Sequence, residues 1–178
     1  MRIVILAGGE GRRMGGGKPQ RLLGGETLLD RALRTARGWS DEVLVAARKG
    51  GDIADDPAIE GPLGGVAAAL ALGGDVLTIP CDMPFLPDDL PVRLRSDAAA
   101  TVASSGGRLH PVCALWKARA RDGLSAYLAT GRRSLTGFSE AVGCQAVEWP
   151  IDLLDYFFNI NSLDDLKQAK GWLDQPRG

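Results

Sequence analysis

Histidine and cysteine are scarce in this chain of 178 residues, and their scarcity excludes several kinds of site. His110 is the one histidine, and Cys81, Cys113 and Cys144 are the three cysteines. Cysteines that are odd in number and far apart fit neither a disulfide framework nor the paired spacing of a zinc site. We therefore expect reduced thiols and a cytoplasmic protein.

An excess of charge and a long apolar run are also missing. Lysine and arginine total 21 against 22 aspartate and glutamate residues, which leaves a formal net charge of −1. Such a chain has no overall attraction for nucleic acid or an acidic membrane, so any anion must bind locally. No apolar run is long enough to cross a membrane, and the first residues show no signal-peptide pattern. We predict a soluble protein that binds neither nucleic acid nor a membrane.

Short apolar runs alternate with helical patterns in the first half of the chain. Residues 2–6, 42–46 and 75–79 are typical of buried strands, and residues 28–37 and 63–72 are typical of the helices between them. Strands that alternate with helices pair in parallel. The pattern predicts an α/β protein, with a three-layer, Rossmann-like fold around a mostly parallel sheet.

The second half continues with further elements and no change of composition. We predict helices at residues 88–95 and 117–129 and strands at 99–103 and 109–116. A last strand at 145–149 and a C-terminal helix at 163–173 follow. Residues 50–60 mix Gly, Pro and Asp without periodicity and are predicted to form a loop. Because no linker or repeat divides the chain, we expect one domain over residues 1–178.

The loop after the first strand has the composition of a phosphate site. Residues 7–18 read AGGEGRRMGGGK, in which glycines let backbone N–H groups approach an anion and Arg12, Arg13 and Lys18 add positive charge. Met14 stands where the last glycine of a dinucleotide motif would be, and Lys18 is not followed by the Ser or Thr of a P-loop. The alternative is a surface turn that binds nothing. Three cations in a short turn repel one another unless an anion is present, which favours a nucleoside triphosphate site.

Asp82 is the second candidate for chemistry. It follows a buried strand within a turn bracketed by Pro80 and Pro84, at the edge of the sheet where ligands bind in α/β folds. Mg²⁺ prefers hard oxygen ligands and often takes only one or two carboxylates. The alternative is that Asp82 caps the next helix, although Asp88 is the better N-cap candidate. We therefore predict Mg²⁺ on Asp82.

Five ordered segments carry a resemblance to a known family. They are LAGG at 6–9 with RRMGG at 12–16 and Lys18, GPLGG at 61–65, PCDMP at 80–84, HPV at 110–112, and FNINS at 158–162. Together they resemble the nucleotidyltransferases, and within them the molybdenum cofactor guanylyltransferases of the molybdopterin-guanine dinucleotide synthesis protein A type. The match runs over nearly the whole chain.

The resemblance implies an activity. It implies transfer of GMP from GTP to the terminal phosphate of molybdenum-carrying molybdopterin, with release of pyrophosphate and with Mg²⁺ as cofactor. The alternatives are a cytidylyl- or sugar-phosphate nucleotidyltransferase of the same fold, and a GTP-binding relative without catalysis. Gly9 is the form of the first motif that resembles the guanylyl branch. The resemblance also implies transient contact with molybdenum enzymes or their chaperones, which would receive the product.

The resemblance also implies roles for individual residues. The implied GTP contacts are Leu6, Ala7, Gly8, Gly9, Lys18, Asp56 and Asp82, with Asp56 chosen over Asp55 as the acidic residue before Gly61. The implied pterin contacts are Arg13, Gly16, Gly65, Arg133, Asn159 and Asn161. Lys18, Arg13 and Asp82 would carry catalysis, with Asp82 as the metal ligand. Asn161 could reach the metal instead of the pterin.

Three further residues qualify this assignment. His110 is expected to order its loop rather than to catalyse, because a phosphate nucleophile is already an anion and needs no general base. Gly17 stands alone where the family has two residues ending in Asp, and Ala47 replaces an Asn after the second strand.

Overall fold

The fold is an α/β sandwich built on one large sheet. In a computed structural model, residues 1–8 and 17–174 are described, and within them the strands and helices have the following bounds. The strands are β1 (Arg2–Leu6), β2 (Leu22–Leu23), β3 (Glu26–Thr27), β4 (Val43–Ala47), β5 (Ile53–Ala54), β6 (Val76–Pro80), β7 (Ala100–Ser105), β8 (Arg108–Trp116) and β9 (Cys144–Trp149). The α-helices are α1 (Leu28–Trp39), α2 (Pro62–Ala71), α3 (Leu90–Arg93), α4 (Asp122–Ala129), α5 (Leu135–Ala141) and α6 (Leu163–Leu173), and 3₁₀ turns cover Lys18–Gln20 and Ala118–Arg121.

The sheet confirms the predicted fold class. Seven strands lie in the order β5-β4-β1-β6-β8-β7-β9, while β2 and β3 form a separate hairpin. Strand β1 pairs in parallel with β4 and β6, and β7 pairs in parallel with β9. Strand β8 is antiparallel to both of its neighbours. The sheet is therefore mostly parallel, as expected for strands joined by helical crossovers.

Side chains of each central strand alternate between two cores. In β1, Ile3 and Ile5 pack on the face covered by α1, whereas Val4 packs on the opposite face with Leu63 of α2 and Phe138 of α5. All five residues of β6 are buried, because helices cover the sheet on both faces. The two layers of helix leave ligands access mainly at the ends of the strands.

Several predicted elements differ from the observed ones. Helix α6 has the predicted bounds, but the predicted helix 117–129 begins as a 3₁₀ turn and α3 covers only Leu90–Arg93. Helix α5 and the β2–β3 hairpin were not predicted, because both are too short for a periodic signal. The predicted loop 50–60 contains β5, which adds two residues to the edge of the sheet beside β4. The N-cap prediction was wrong: α3 begins after Asp89, not Asp88.

The carboxyl ends of four parallel strands meet at one edge of the sheet. Leu6 is the partner of Ala46 on one side and of Pro80 on the other, and Ala47 is the partner of Ala54. Residues that follow these strands are therefore neighbours in space, although the sequence separates them widely. Within the described part of the chain, no helix combines the length and the apolar character needed to span a membrane.

Candidate active site

Lys18 reaches this edge of the sheet from a short 3₁₀ turn. Gly17 precedes the turn with φ of +64°, a conformation that glycine adopts without strain, and Pro19 restricts the first turn. The Lys18 side chain is largely buried, with 8% of the residue exposed. A buried ammonium group requires oxygen partners, because burying an unpaired charge costs on the order of several kcal/mol in lost hydration.

Asp82 is the first of those partners. Its carboxylate Oδ2 forms an ion pair with Lys18 Nζ. The N–H of Cys81, the residue before it, donates to the carbonyl of Leu6 at 3.2 Å, which continues the β1–β6 pairing beyond the strands and places Asp82 beside the start of the first loop. The second carboxylate oxygen, Oδ1, is buried and has no hydrogen-bond partner among the described residues. It is free to accept a further ligand.

Asn159 and Asn161 complete the surroundings of the Lys18 ammonium. Lys18 Nζ donates to Oδ1 of Asn161 at 2.8 Å and to Oδ1 of Asn159 at 3.4 Å. Ile160 between them is fully buried, and its N–H donates to the carbonyl of Asp82 at 3.0 Å. Chain segments from opposite ends of the sequence therefore meet in one cluster, which we name the cation cluster: Lys18, Asp82, Asn159 and Asn161.

The cap of α6 holds Asn161 in place. Ser162 and Asp165 form a capping box, in which Ser162 Oγ accepts from the N–H of Asp165, and Asp165 Oδ2 accepts from the N–H groups of Asn161 and Ser162 at 2.8 Å each. Such a cap contributes about 1 kcal/mol to helix stability and fixes the direction in which the chain enters the helix.

The oxygens of the cation cluster suit a divalent metal ion. One carboxylate oxygen without a partner and two amide oxygens are hard ligands of the kind that Mg²⁺ accepts. Among residues 1–8 and 17–174, no group of three or more His, Cys, Asp and Glu side chains could hold a metal. A metal here would therefore depend on Asp82 together with neutral or substrate oxygens.

Asp55 forms a second polar feature on the same edge of the sheet. It follows β5, and its carboxylate lies so close to the Gly8 backbone that a Cβ at position 8 would overlap Asp55 Oδ2. Its Oδ1 is buried without a hydrogen-bond partner among the described residues. Burial raises the pKa of the Asp55 carboxyl, and the positive charge of Arg48 opposes this rise.

The carboxylates of Asp55 and Asp56, of which Asp56 is the one predicted from the sequence to contact GTP, have different surroundings. The Asp56 carboxylate accepts a hydrogen bond from the N–H of Ala58 at 2.9 Å and so closes its own turn. The carboxylate that faces the first loop is that of Asp55. Asp55 directly follows a parallel strand, a position that the sequence did not show because β5, only two residues long, was not predicted.

Leu6, Ala7 and Gly65 line the space near Asp55. Ala7 is bound to the sheet by its N–H, which donates to the carbonyl of Ala46 at 2.8 Å. A Cβ at Gly65 would lie 2.9 Å from Leu6 Cδ2 and 3.2 Å from Asp55 Oδ1. The structure therefore places Gly65, which the resemblance assigns to the pterin, beside the residues assigned to the nucleotide.

Arg133 does not join the cation cluster. It is exposed, and its guanidinium donates to the carbonyls of Leu128 and Arg132 at 2.9 and 2.8 Å. The predicted site residues Gly9, Arg13 and Gly16, together with Arg12, lie outside the described residues.

His110 lies within β8 rather than in a loop, and its side chain contacts the segment that follows β9. Its ring stacks on Phe157 with centroids 4.8 Å apart, and its Nε2 lies 2.8 Å from Ser105 Oγ. Ser105 Oγ donates to Asp155 Oδ1 at 2.9 Å, so the proton between the ring and the hydroxyl belongs to His110 Nε2. This network anchors the segment that carries Asn159.

Comparison with protein families and curated proteins gives a consistent result. The family model described as "MobA-like NTP transferase domain" matches residues 3–142. A molybdenum cofactor guanylyltransferase of Cereibacter sphaeroides (strain ATCC 17029 / ATH 2.4.9) is 37% identical over 186 residues, covering 96% of this chain and 95% of that protein. A protein of the same name from Acidiphilium cryptum (strain JF-5) is 41% identical, covering 96% of this chain and 94% of that protein.

Solved structures share the fold over nearly the full length. The molybdopterin-guanine dinucleotide biosynthesis protein A of Archaeoglobus fulgidus superposes with a TM-score of 0.80 at 24% identity, covering 97% of this chain and 98% of that chain. A 2-C-methyl-D-erythritol 4-phosphate cytidylyltransferase of Thermus thermophilus superposes with a TM-score of 0.65 at 21% identity, covering 97% and 98% of the two chains. Because both sequence identities are below 25%, these superpositions establish the fold of this chain and nothing about its activity.

Proposed function

This chain belongs to the MobA-like NTP transferase family, and from that premise we propose that it transfers GMP from GTP to the terminal phosphate of molybdenum-carrying molybdopterin. The relatives at 37% and 41% identity, each aligned over most of both chains, bear the guanylyltransferase name. Pyrophosphate is the second product. We propose that the reaction takes place in the cytoplasm and that the product passes to a molybdenum enzyme or its chaperone.

The observation that carries the proposal is the convergence of Lys18, Asp82 and Asn161 at the carboxyl edge of the sheet. One positive charge, one partly unpaired carboxylate and amide oxygens meet beside the first loop. Transfer of a nucleotidyl group joins two anions, so charge neutralisation and alignment are the main tasks of the site. The cluster provides groups for both tasks.

The first task is to hold the triphosphate. We propose that the backbone from Leu6 to Gly8 and the first loop contact the nucleotide, with Gly9 and Arg13 contributing from the loop. Asp55 rather than Asp56 is proposed as the acidic nucleotide contact, because its carboxylate faces Gly8 and has an unpaired oxygen. Hydrogen bonds donated by N–H groups of a base to the buried Asp55 Oδ1 would offset the solvation that this oxygen lost on folding.

The second task is the displacement at the α-phosphorus. An oxygen of the acceptor phosphate forms a bond to the α-phosphorus of GTP, the bond from that phosphorus to the bridging oxygen breaks, and pyrophosphate leaves with the electron pair. Lys18 offsets the negative charge that grows on the phosphoryl oxygens. We propose that Gly16, Gly65, Arg133, Asn159 and Asn161 position the pterin acceptor, with Arg133 requiring a change of its present hydrogen bonds.

Families of this kind use a divalent metal ion, and we propose Mg²⁺ held through Asp82. Bound there, Mg²⁺ would neutralise phosphate charge and orient the triphosphate. The buried, unpaired Oδ1 of Asp82 fits this role. Asn161 could contribute its amide oxygen.

Calorimetry tests the proposal directly. We expect GTP with Mg²⁺ to bind in preference to CTP, ATP and UTP, and Asp82→Ala to lose that binding. Asp88→Ala is the matched control, since Asp88 is an exposed aspartate of the same loop. Release of pyrophosphate when molybdopterin is added completes the test. Preference for CTP would replace the guanylyl assignment, and tight GTP binding without pyrophosphate release would indicate a relative that lacks catalysis.

A further inference from the structure

The ammonium group of Lys18 lies among the oxygens of the cation cluster, on the same carboxylate whose unpaired Oδ1 would hold a metal ion. A lysine ammonium has three N–H donors, and three side-chain oxygens surround this one: Asp82 Oδ2, Asn161 Oδ1 and Asn159 Oδ1. These are the same hard oxygens that suit a divalent cation. Lys18 therefore engages three of the four side-chain oxygens that could bind the metal and leaves Asp82 Oδ1 without a partner among the described residues.

A metal ion and the ammonium cannot share this set of oxygens. Both are cations, Lys18 is 8% exposed, and little solvent is present to screen the repulsion between them. The single carboxylate of Asp82 balances one positive charge from Lys18, but not three positive charges. A divalent ion can enter only if Lys18 leaves.

Lys18 will leave only for other oxygen partners of comparable strength. Its flexible four-carbon stem allows the ammonium to move while the 3₁₀ turn stays in place. The phosphate oxygens of a nucleotide are charged acceptors and form short, strong hydrogen bonds with lysine.

We propose that Lys18 makes the Asp82 site selective for a divalent cation that arrives with a nucleotide, and keeps free divalent cations out. This inference rests on the proposed function, because it assumes that a metal acts at Asp82. It adds a role for Lys18 before any chemistry takes place. Binding of metal and binding of nucleotide are then coupled, and the coupling acts equally in both directions.

The test measures Mn²⁺ binding without nucleotide, by electron paramagnetic resonance of the free ion. Wild-type protein should bind Mn²⁺ weakly, and Lys18→Met should bind it at least about tenfold more tightly, because the competing charge is gone. Lys18→Arg keeps a charge and should bind weakly like the wild type. Adding Asp82→Asn to Lys18→Met should abolish the gain.

Lys117→Met is the matched control. Lys117 Nζ pairs with Asp75 Oδ2 at 2.9 Å, with that carboxylate 44% exposed, so this variant also frees an aspartate and changes the net charge equally. It should gain no Mn²⁺ site. Lys18→Gln serves as a second neutral variant if Lys18→Met does not fold by circular dichroism.

The outcomes separate this inference from the proposed function. If neither Lys18→Met nor Lys18→Gln binds Mn²⁺ more tightly than the wild type, Lys18 does not exclude free divalent cations from the Asp82 site, and the inference is wrong. The wild type is also titrated with GTP in the presence and absence of Mn²⁺. GTP binding that is indifferent to Mn²⁺ would overturn the metal assignment of the proposed function, whatever the nucleotide-free result.

Discussion

The Asp55 carboxylate lies directly against the backbone of Gly8, although 46 residues separate them in the sequence. The contact exists because β5 adds to β4, which in turn pairs with β1. It joins the first glycine loop to the residues that follow the edge strand β5. A side chain at position 8 would have to displace Asp55.

Gly8→Ala is expected to impair nucleotide binding much more than folding. The added Cβ overlaps Asp55 Oδ2, which is the end of a side chain and can rotate away. We expect GTP affinity to fall at least about tenfold, equal to about 1.4 kcal/mol, with an unfolding free energy lowered by less than about 1 kcal/mol. Calorimetry and denaturant unfolding measure the two effects.

Gly38→Ala in α1 is the control, because nothing lies within 4 Å of its Cβ position and alanine favours helix. Unchanged GTP affinity in Gly8→Ala would contradict a nucleotide role for this contact.

Asp55→Asn should stabilise the fold at neutral pH while weakening GTP binding. Burial raises the pKa of Asp55, so the folded chain holds this proton more tightly than the unfolded chain. Stability contributed by the protonated form is therefore present below the ordinary aspartate pKa and is lost as pH rises through the raised value. The melting temperatures of wild type and Asp55→Asn should be similar at low pH, with the variant higher at pH 7.

Asp56→Ala provides the contrast. It removes the hydrogen bond from the N–H of Ala58 and should lower stability by about 1 kcal/mol at neutral pH. GTP affinity should be close to wild type. If Asp56→Ala lost GTP binding and Asp55→Asn kept it, the nucleotide contact would return to Asp56.

His110→Phe should remove most of the pH dependence of stability between pH 5 and 7.5. Burial lowers the pKa of His110, and the charge of Arg108 acts in the same direction, while Asp155 and Glu148 oppose them. The stability that depends on the neutral ring is present above the ordinary histidine pKa and is lost as pH falls through the lowered value. His110 is the one histidine of the chain, and the difference in melting temperature between wild type and variant at each pH separates its contribution from that of Asp55. Phenylalanine keeps the stacking on Phe157 but breaks the hydrogen bond to Ser105, at an expected cost of about 1–3 kcal/mol at pH 7.5. An equal pH dependence in the variant would show that other groups titrate.

Asn161→Ala should separate pterin binding from GTP binding. It removes the amide oxygen that accepts from Lys18 at 2.8 Å but leaves the backbone N–H that caps α6 through Asp165. We expect GTP affinity to change by less than about threefold and the KM for molybdopterin to rise at least about tenfold, as for the loss of one charge-assisted hydrogen bond. Steady-state kinetics with each substrate varied in turn gives both values. A loss of GTP and metal affinity instead would assign Asn161 to the metal.

The strand and helix pattern was largely determined by the sequence. The apolar residues of runs such as 3–5 and 76–79 are buried, and the alternation of these runs with helices leaves a parallel sheet as the arrangement that buries them. The ends of the elements were predicted less accurately: the helix predicted over residues 88–95 is only Leu90–Arg93, because short helices depend on their neighbours more than on their own propensity. The sequence also identified Lys18, Asp82, Asn159 and Asn161 as candidate site residues.

The tertiary structure decided which of the candidates meet. Lys18 and Asn161 come together because the 3₁₀ turn after β1 and the cap of α6 lie at the same sheet edge, beside Asp82 at the end of β6, and this proximity has no local signal in the chain. Asp55 and Asp56 are adjacent residues of the same type, so the sequence does not distinguish them. In the folded chain the Asp55 carboxylate contacts Gly8, whereas the Asp56 carboxylate accepts a hydrogen bond within its own turn. Local propensity and periodicity act over a few residues, whereas side-chain direction at a site depends on pairing between distant strands. For that reason the sequence determined the fold and the types of residue in the site, and only the packed sheet determined their partners.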